Sequence, residues 1–325
     1  MSPAPAGHSA RQREVEWPTF LAIASCYGVW ILAGTFLYGT SHLLSLAVLA
    51  LVVAFHSSLQ HEALHRHPTS SDRLNEILVG LPVGLFYPFR RYRTTHLDHH
   101  RDELLTDPDE DPETYYHHPA RWARLPRARR WLLEANNTFL GRVILGPLIG
   151  SVSFFLSDMR RIAAGDRVIL VAWVIHALSL VPVVWVVTRV FGMPFWLYLF
   201  GPAYAGTALI GIRSYCEHRW AEQPSCRTIL VQHSVLSFLF LYNNLHIVHH
   251  SRPGIPWYRL PRTYRADRAY WHALNGGYVY RGYWEIAWRY LLRRKEPLPH
   301  PAPHLPLVPV PRPPHAAQPM ENGSC

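Results

Sequence analysis

Charge-free apolar runs occur in two pairs along the chain, and within each pair the connection is too short to hold a domain. Trp17 to Tyr38 carries no charged residue and is long enough to cross a bilayer as a helix; Leu43 to Gln60 follows after a short uncharged turn. Val168 to Val187 and Met193 to Ile212 repeat the arrangement, with only Arg189 charged between them. Burying four such spans and their tight turns inside a water-soluble core is physically demanding, so a membrane reading follows. Two shorter apolar stretches, Leu74 to Phe89 and Thr228 to Tyr242, are broken by Pro82 and Pro88 or carry His233, and are expected at the membrane interface. The expected fold class is all-α integral membrane: four transmembrane helices in two hairpins (about 17–38, 43–60, 168–187 and 193–212) with a cytoplasmic helical cap holding a di-metal site.

Residues 1–16 are expected to be disordered, 17–296 to form the membrane domain, and 297–325 to form a disordered tail, because ten of those last 29 residues are proline. Composition agrees with the membrane reading. Charged residues make up 17% of the chain, against roughly 25% in soluble proteins. The net charge of +10 is almost all arginine, since Lys295 is the only lysine. These arginines gather beside the apolar spans, at Arg90, Arg91 and Arg93, across Arg121 to Arg130, at Arg160 and Arg161, and from Arg289 onward, whereas the hairpin turns nearly lack them. Basic flanks mark the cytoplasmic side and favour anionic headgroups, so both termini are expected in the cytoplasm and no nucleic-acid partner is implied. The four cysteines show no C-x-x-C spacing, which leaves out a zinc ribbon.

The candidate chemistry lies in nine of the 21 histidines. His61 and His65 form H-x-x-x-H in HEALH; His96, His99 and His100 form H-x-x-H-H in HLDHH; His246, His249 and His250 repeat it in HIVHH; His218 stands alone in RSYCEHRW. Positions i, i+3 and i+4 share one helix face, so each cluster aims its imidazoles at one point. Random placement of 21 histidines in 325 residues yields only about 0.09 of the H-x-x-H-H triplets, so the two triplets carry the signal. Nine imidazoles exceed the needs of one ion and point to two metals, each keeping an open position. Imidazole suits iron, copper, nickel and zinc alike, which leaves the metal open. Glu62, Asp98, Glu103, Asp107 and Glu217 are the candidates to hold imidazole N–H groups, Glu62 and Asp98 first among them. HEALH also satisfies H-E-x-x-H of zinc metalloproteases, with Glu62 as base, but that reading leaves both triplets and His218 unused. The E-x-x-H of carboxylate-bridged di-iron bundles needs a second copy, which the chain lacks. His176 lies mid-span, His56 and His67 flank the first box, and His117, His118, His233, His272, His300, His304 and His315 lack ligand spacing or fall in the tail.

With the three boxes in this order and spacing, one hairpin before the first and another between the second and third, the chain resembles the membrane fatty acid desaturase family over roughly Trp17 to Arg262. The resemblance implies two iron ions held by His61, His65, His96, His99, His100, His218, His246, His249 and His250, O2 as co-substrate, and a lipid acyl substrate. THLDHHRDELLTDPDEDPE and NNLHIVHHSRPGIPWYRLP are further similar to a bacterial branch that includes acyl desaturases and the rhizobitoxine-pathway desaturase, whose substrate is a small amino acid derivative; carotenoid ketolases share the boxes as well. That likeness implies the bacterial inner membrane. No H-P-G-G run of a fused cytochrome b5 and no G-x-G-x-x-G loop is present, so the implied electron donor is external, a ferredoxin or similar carrier.

Overall fold

The structure is a computed structural model that describes residues 15–302. The expected disorder of residues 1–14 and 303–325 lies outside the described residues. Helix α1 (Trp17–Thr40) and helix α2 (His42–Leu64) form the first hairpin around Ser41, whose extended backbone breaks the helix. Buried Cys26, Trp30 and Ala33 of α1 pack on Leu49 and Val52 of α2, and the Ser45 hydroxyl donates to the Ala33 carbonyl at 2.8 Å. Next come α3 (Asp72–Val79), capped by the Ser71 hydroxyl, and α4 (Phe89–His99). Two short helices, α5 (Pro119–Ala123) and α6 (Arg127–Asn136), lead into α7 (Phe139–Ala163). The second hairpin is α8 (Arg167–Val190) and α9 (Phe195–Ser214). The cap is completed by strand β1 (Leu230–Val231), helices α10 (His246–Ser251), α11 (Leu260–Ala266) and α12 (Arg268–Leu274), strand β2 (Val279–Tyr280) and helix α13 (Tyr283–Tyr290).

The hairpins meet through small residues. A Cβ at Gly34 in α1 would collide with the Phe191 ring between α8 and α9, and one at Gly206 in α9 would collide with Val53 of α2. Trp30 Nε1 donates to the Tyr198 hydroxyl at 2.9 Å, which itself donates to the Val83 carbonyl at 2.8 Å, so both hairpins and the loop before α4 share one polar knot inside an apolar core.

Among the described residues five helices, against the four expected to cross, are long and apolar enough to span a membrane: α1, α2, α7, α8 and α9. The additional one, α7, has a mean hydropathy high enough for a span but escapes a search for charge-free runs, because its uncharged stretch between Arg142 and Asp158 falls short of the ~20 residues a span needs. Leu140, Ile144, Leu148, Val152 and Phe155 form an exposed apolar stripe along α7, and Asp158 is buried on another face.

Three segments pack more closely on the rest of the fold than their own sequence indicates. Leu74 to Phe89 packs Val79, Val83 and Leu85 against the first hairpin and leaves Leu74 and Ile77 exposed. Thr228 to Tyr242 also turns inward: β1 pairs in parallel with β2, Leu230 opposite Val279, and Ile229, Leu230, Val231 and Phe240 are buried, leaving Val235 and Phe238 exposed. Lastly, the described start of the proline-rich tail is packed, with Leu298 and His300 buried and Pro299 bridged to His117. Glu16 is likewise buried, paired with His67 at 2.7 Å.

Candidate metal centre

Three helix ends and one loop deliver the nine imidazoles. His61 occupies the last turn of α2 and His65 caps it; after them the backbone turns sharply at Arg66, with φ 67°. In α4, His96 and His99 lie in the last turn and His100 is the cap. Helix α10 is six residues long and contains the whole third box. His218 lies on no helix; it follows α9 in a short antiparallel bridge to Thr228.

Packing divides the nine into two groups. His61, His65, His96, His100 and His249 form one, and His99, His218, His246 and His250 the other, with the ligand atoms of each group within 4.8 Å of one another. Each triplet is therefore shared: α4 sends His96 and His100 to one group and His99 to the other, while α10 sends His249 to the first and His246 and His250 to the second.

Nitrogen spacing tests whether an ion fits. Two nitrogens each about 2.1 Å from one ion stand about 3.0 Å apart at a right angle and about 3.4 Å apart at a tetrahedral angle. In the first group Nε2 of His100 is 3.0 Å from Nε2 of His96 and 3.1 Å from Nε2 of His249; in the second, Nε2 of His218 is 2.9 Å from that of His99 and 3.1 Å from that of His246. These are right-angle spacings, as in five- or six-coordinate shells. The opposite ring nitrogens fix the tautomers. Nδ1 of His96 donates to Glu113 (3.0 Å), Nδ1 of His99 to Asp111 (2.8 Å) and Nδ1 of His246 to Asn243 Oδ1 (3.0 Å). Nε2 of His96 and of His246 then presents a bare lone pair toward Nε2 of another imidazole, and lone pairs converging at such distances repel unless a cation lies between them. Nε2 of His61 and of His65 are buried with no protein partner, which a metal would supply. The donor set fits two ions.

Electrostatics favour neutral rings at most positions. Burial, then the other box histidines, holds His96, His100, His246 and His249 well below the ordinary histidine range, and His218 follows under burial, His99, His250 and Lys295. Burial, with His250 and His67 beside it, lowers His65 to about 3. His99 differs: burial alone would keep it neutral, but Glu113, Asp111 and Glu217 outweigh burial and lift it to about 9. Such a ring attracts a cation at Nε2, where a metal takes the place of the proton.

All nine sequence-derived histidines converge, but the carboxylates expected to orient them largely do not. Glu62 accepts from the Trp257 backbone N–H at 3.2 Å, and neither it nor Asp98, Glu103 or Asp107 bonds to any of the nine among the described residues. Glu217 is the partial exception, 3.8 Å from His246 Nδ1 but bound to Arg213 at 2.9 Å. The orienting groups are instead Asp111, Glu113 and Asn243. Both carboxylates belong to the acidic run DPDEDPE, where a two-residue alternation was the available signal: Asp111 and Glu113 point one way on a non-helical segment.

Residues 39–282, three quarters of the chain, match the family described as fatty acid desaturase. The chain belongs to that family. Comparison with curated proteins produced no match. As a fatty acid desaturase family member the protein is an oxygen-dependent oxidoreductase of the membrane, and its histidine boxes are those from which the two groups are built. The zinc-protease reading of HEALH loses its basis: His61 and His65 join three further imidazoles, and Glu62 is occupied by Trp257.

Proposed function

We propose that this protein is a di-iron acyl desaturase that introduces a carbon–carbon double bond into a lipid chain, using electrons from a ferredoxin or similar carrier. The observation that carries it is the division of nine imidazoles into groups of five and four at right-angle spacing, inside a desaturase-family chain. Two irons bound there would supply the O2-dependent removal of hydrogen from an unactivated carbon. The chain's own contribution is to hold the imidazoles in their ligating tautomer through Asp111, Glu113 and Asn243, and to exclude water by burying seven of the nine rings. A cavity of about 70 Å³ is lined by Val53, His56, Gln60, Leu85, Tyr87 and Ile210, with Gln60 on the helix turn that leads into the first box. Its apolar members suit methylenes, each worth about 0.8 kcal/mol on burial.

Purified full-length protein is expected to contain near two irons per chain, and cells expressing it with a competent donor to gain an unsaturated acyl species. One zinc per chain with no iron would overturn the metal assignment. An unchanged acyl profile alongside conversion of a water-soluble amino acid derivative or a carotenoid would overturn the acyl substrate and leave the di-iron site standing.

The topology proposed with it has four crossings, α1, α2, α8 and α9, with both termini in the cytoplasm of a bacterial inner membrane. Contact between His99 and His218 supports it: the two lie on one side of the membrane, so an even number of helices crosses between them. Of α7, α8 and α9, therefore, only two cross. Both ends of α7 approach the metal side, Thr138 next to Asn137, which bonds Lys295, and Asp158 at Arg91 of the second-box helix. Its apolar stripe then rests on lipid at the interface. Reporters fused after Arg101, after Gly165 and after Arg294 are expected to read cytoplasmic, and one after Gly192 external; an external reading after Gly165 would mean that α7 crosses.

A further inference from the structure

His218 is the one ligand candidate without a helix to place it, and its ring tether is the longest of the four seen, with Nδ1 3.4 Å from the Thr228 hydroxyl. Its backbone, by contrast, is gripped from an unexpected direction. The ammonium of Lys295, the chain's only lysine, donates to the His218 carbonyl, lies 2.8 Å from the Glu296 carboxylate and sits 4.5 Å over the Tyr115 ring. Its side chain is 4% exposed. Burying an ammonium to that extent is costly unless every donor is used. Glu296 in turn accepts from the hydroxyls of Tyr115 and Tyr116, and the Tyr116 oxygen accepts from the Trp220 backbone N–H at 2.9 Å. Tyr115 also stands 3.2 Å from the His218 carbonyl, but it has one proton to share between that carbonyl and Glu296, so Lys295 is the donor committed to His218. Backbone bonds extend the grip. Lys295 N–H donates to Asn137 at 3.1 Å, and His117 and Leu298 are joined at 2.8 Å.

We infer that Lys295 and Glu296 are positioning residues for the four-histidine metal site, forming a clasp that sets the His218 imidazole by holding its backbone. Lys295 and Glu296 lie beyond residues 39–282, the range of the family match, whereas their partners Tyr115, Tyr116 and His218 lie within it. The clasp joins the loop bearing His218 to the segment immediately after Asp111 and Glu113, so ligands from separate elements are fixed against one another. Among the described residues Lys295 and Glu296 touch no ring or backbone of the five-histidine group, which they reach only through the chain between Tyr115 and Glu113, so that group serves as the less affected comparison. The inference rests on the two-metal reading above.

Anaerobic titration of metal-free, full-length protein with ferrous iron tests it. Wild type is expected to bind two irons. Lys295→Met should weaken one of them by about 10–100-fold, the usual range for loss of an outer contact to a metal ligand, and the other less. Glu296→Gln, which keeps shape and removes the charge that seats Lys295, should weaken the same iron to a smaller degree and carries the test if Lys295→Met does not fold. His65→Ala should weaken the opposite iron, which identifies the sites. Unshifted binding of both irons in both variants, or equal weakening of both irons, overturns the clasp. Wild type binding fewer than two irons instead overturns the two-metal reading itself.

Discussion

Replacing His246 by alanine should reduce turnover to background and lower the metal content of the purified protein. The ring is 1% exposed and its Nε2 lies 3.1 Å from that of His218, so alanine removes one of the four donors of that group. The same loss is expected at His99, which joins the same group from α4. A gradation should follow the geometry. Asp111→Asn keeps the size of the side chain but removes the charge facing His99 Nδ1, and is expected to cost 10–100-fold in metal affinity rather than abolish binding. His42→Ala, on an exposed ring at the far end of α2, should leave activity intact. Metal analysis and turnover on the same preparations check the series, and full activity in His246→Ala or His99→Ala would sink the site assignment.

The largest effect on stability is expected at Asp158. Arg91 of the second-box helix binds it in two-point fashion, Nε to Oδ2 at 2.8 Å and Nη2 to Oδ1 at 2.9 Å, while Trp173 Nε1 of α8 donates to it at 2.9 Å. One carboxylate thus ties α4, α7 and α8 together at side-chain exposures of 10% for Arg91 and 2% for Asp158. Asp158→Ala leaves the guanidinium buried without its counter-charge, a loss of about 3–5 kcal/mol in such pairs. Removing both charges, as in Arg91→Met with Asp158→Leu, should recover most of that loss, because the penalty arises from the orphaned charge rather than from the missing attraction. Unfolding in detergent by denaturant or heat measures it; a double variant no more stable than Asp158→Ala would contradict the explanation.

Membrane character and the two hairpins' apolar runs were legible in the sequence because a span is a local property: an uninterrupted stretch of apolar residues of bilayer length. The nine histidines were legible for a related reason. Helical spacing brings His96, His99 and His100, or His246, His249 and His250, to one end of one element without reference to the rest of the chain. Helix α7 was missed because its uncharged run is short, bounded by Arg142 and Asp158, and because Asp158 finds its partner Arg91 far away in sequence. Leu230 and Val231 were assigned to an interface because nothing in their own segment announces β2, nearly fifty residues on.

The sequence by itself determined the class of chain and pointed to the nine imidazoles that converge in two groups able to hold a metal ion each. Tertiary structure alone decided which imidazole joins which group, since each triplet is divided between the two and the division depends on how α2, α4, α10 and the His218 loop pack. It also decided the orienting partners. Asp111, Glu113 and Lys295 act from non-helical segments 12 or more residues from the histidines they hold, and Asn243 acts from three residues before His246, whereas Glu62 and Asp98 are neighbours in sequence whose carboxylates bond none of the nine among the described residues. Helix geometry is written residue by residue, but the position of an imidazole's second nitrogen depends on what the finished fold places against it.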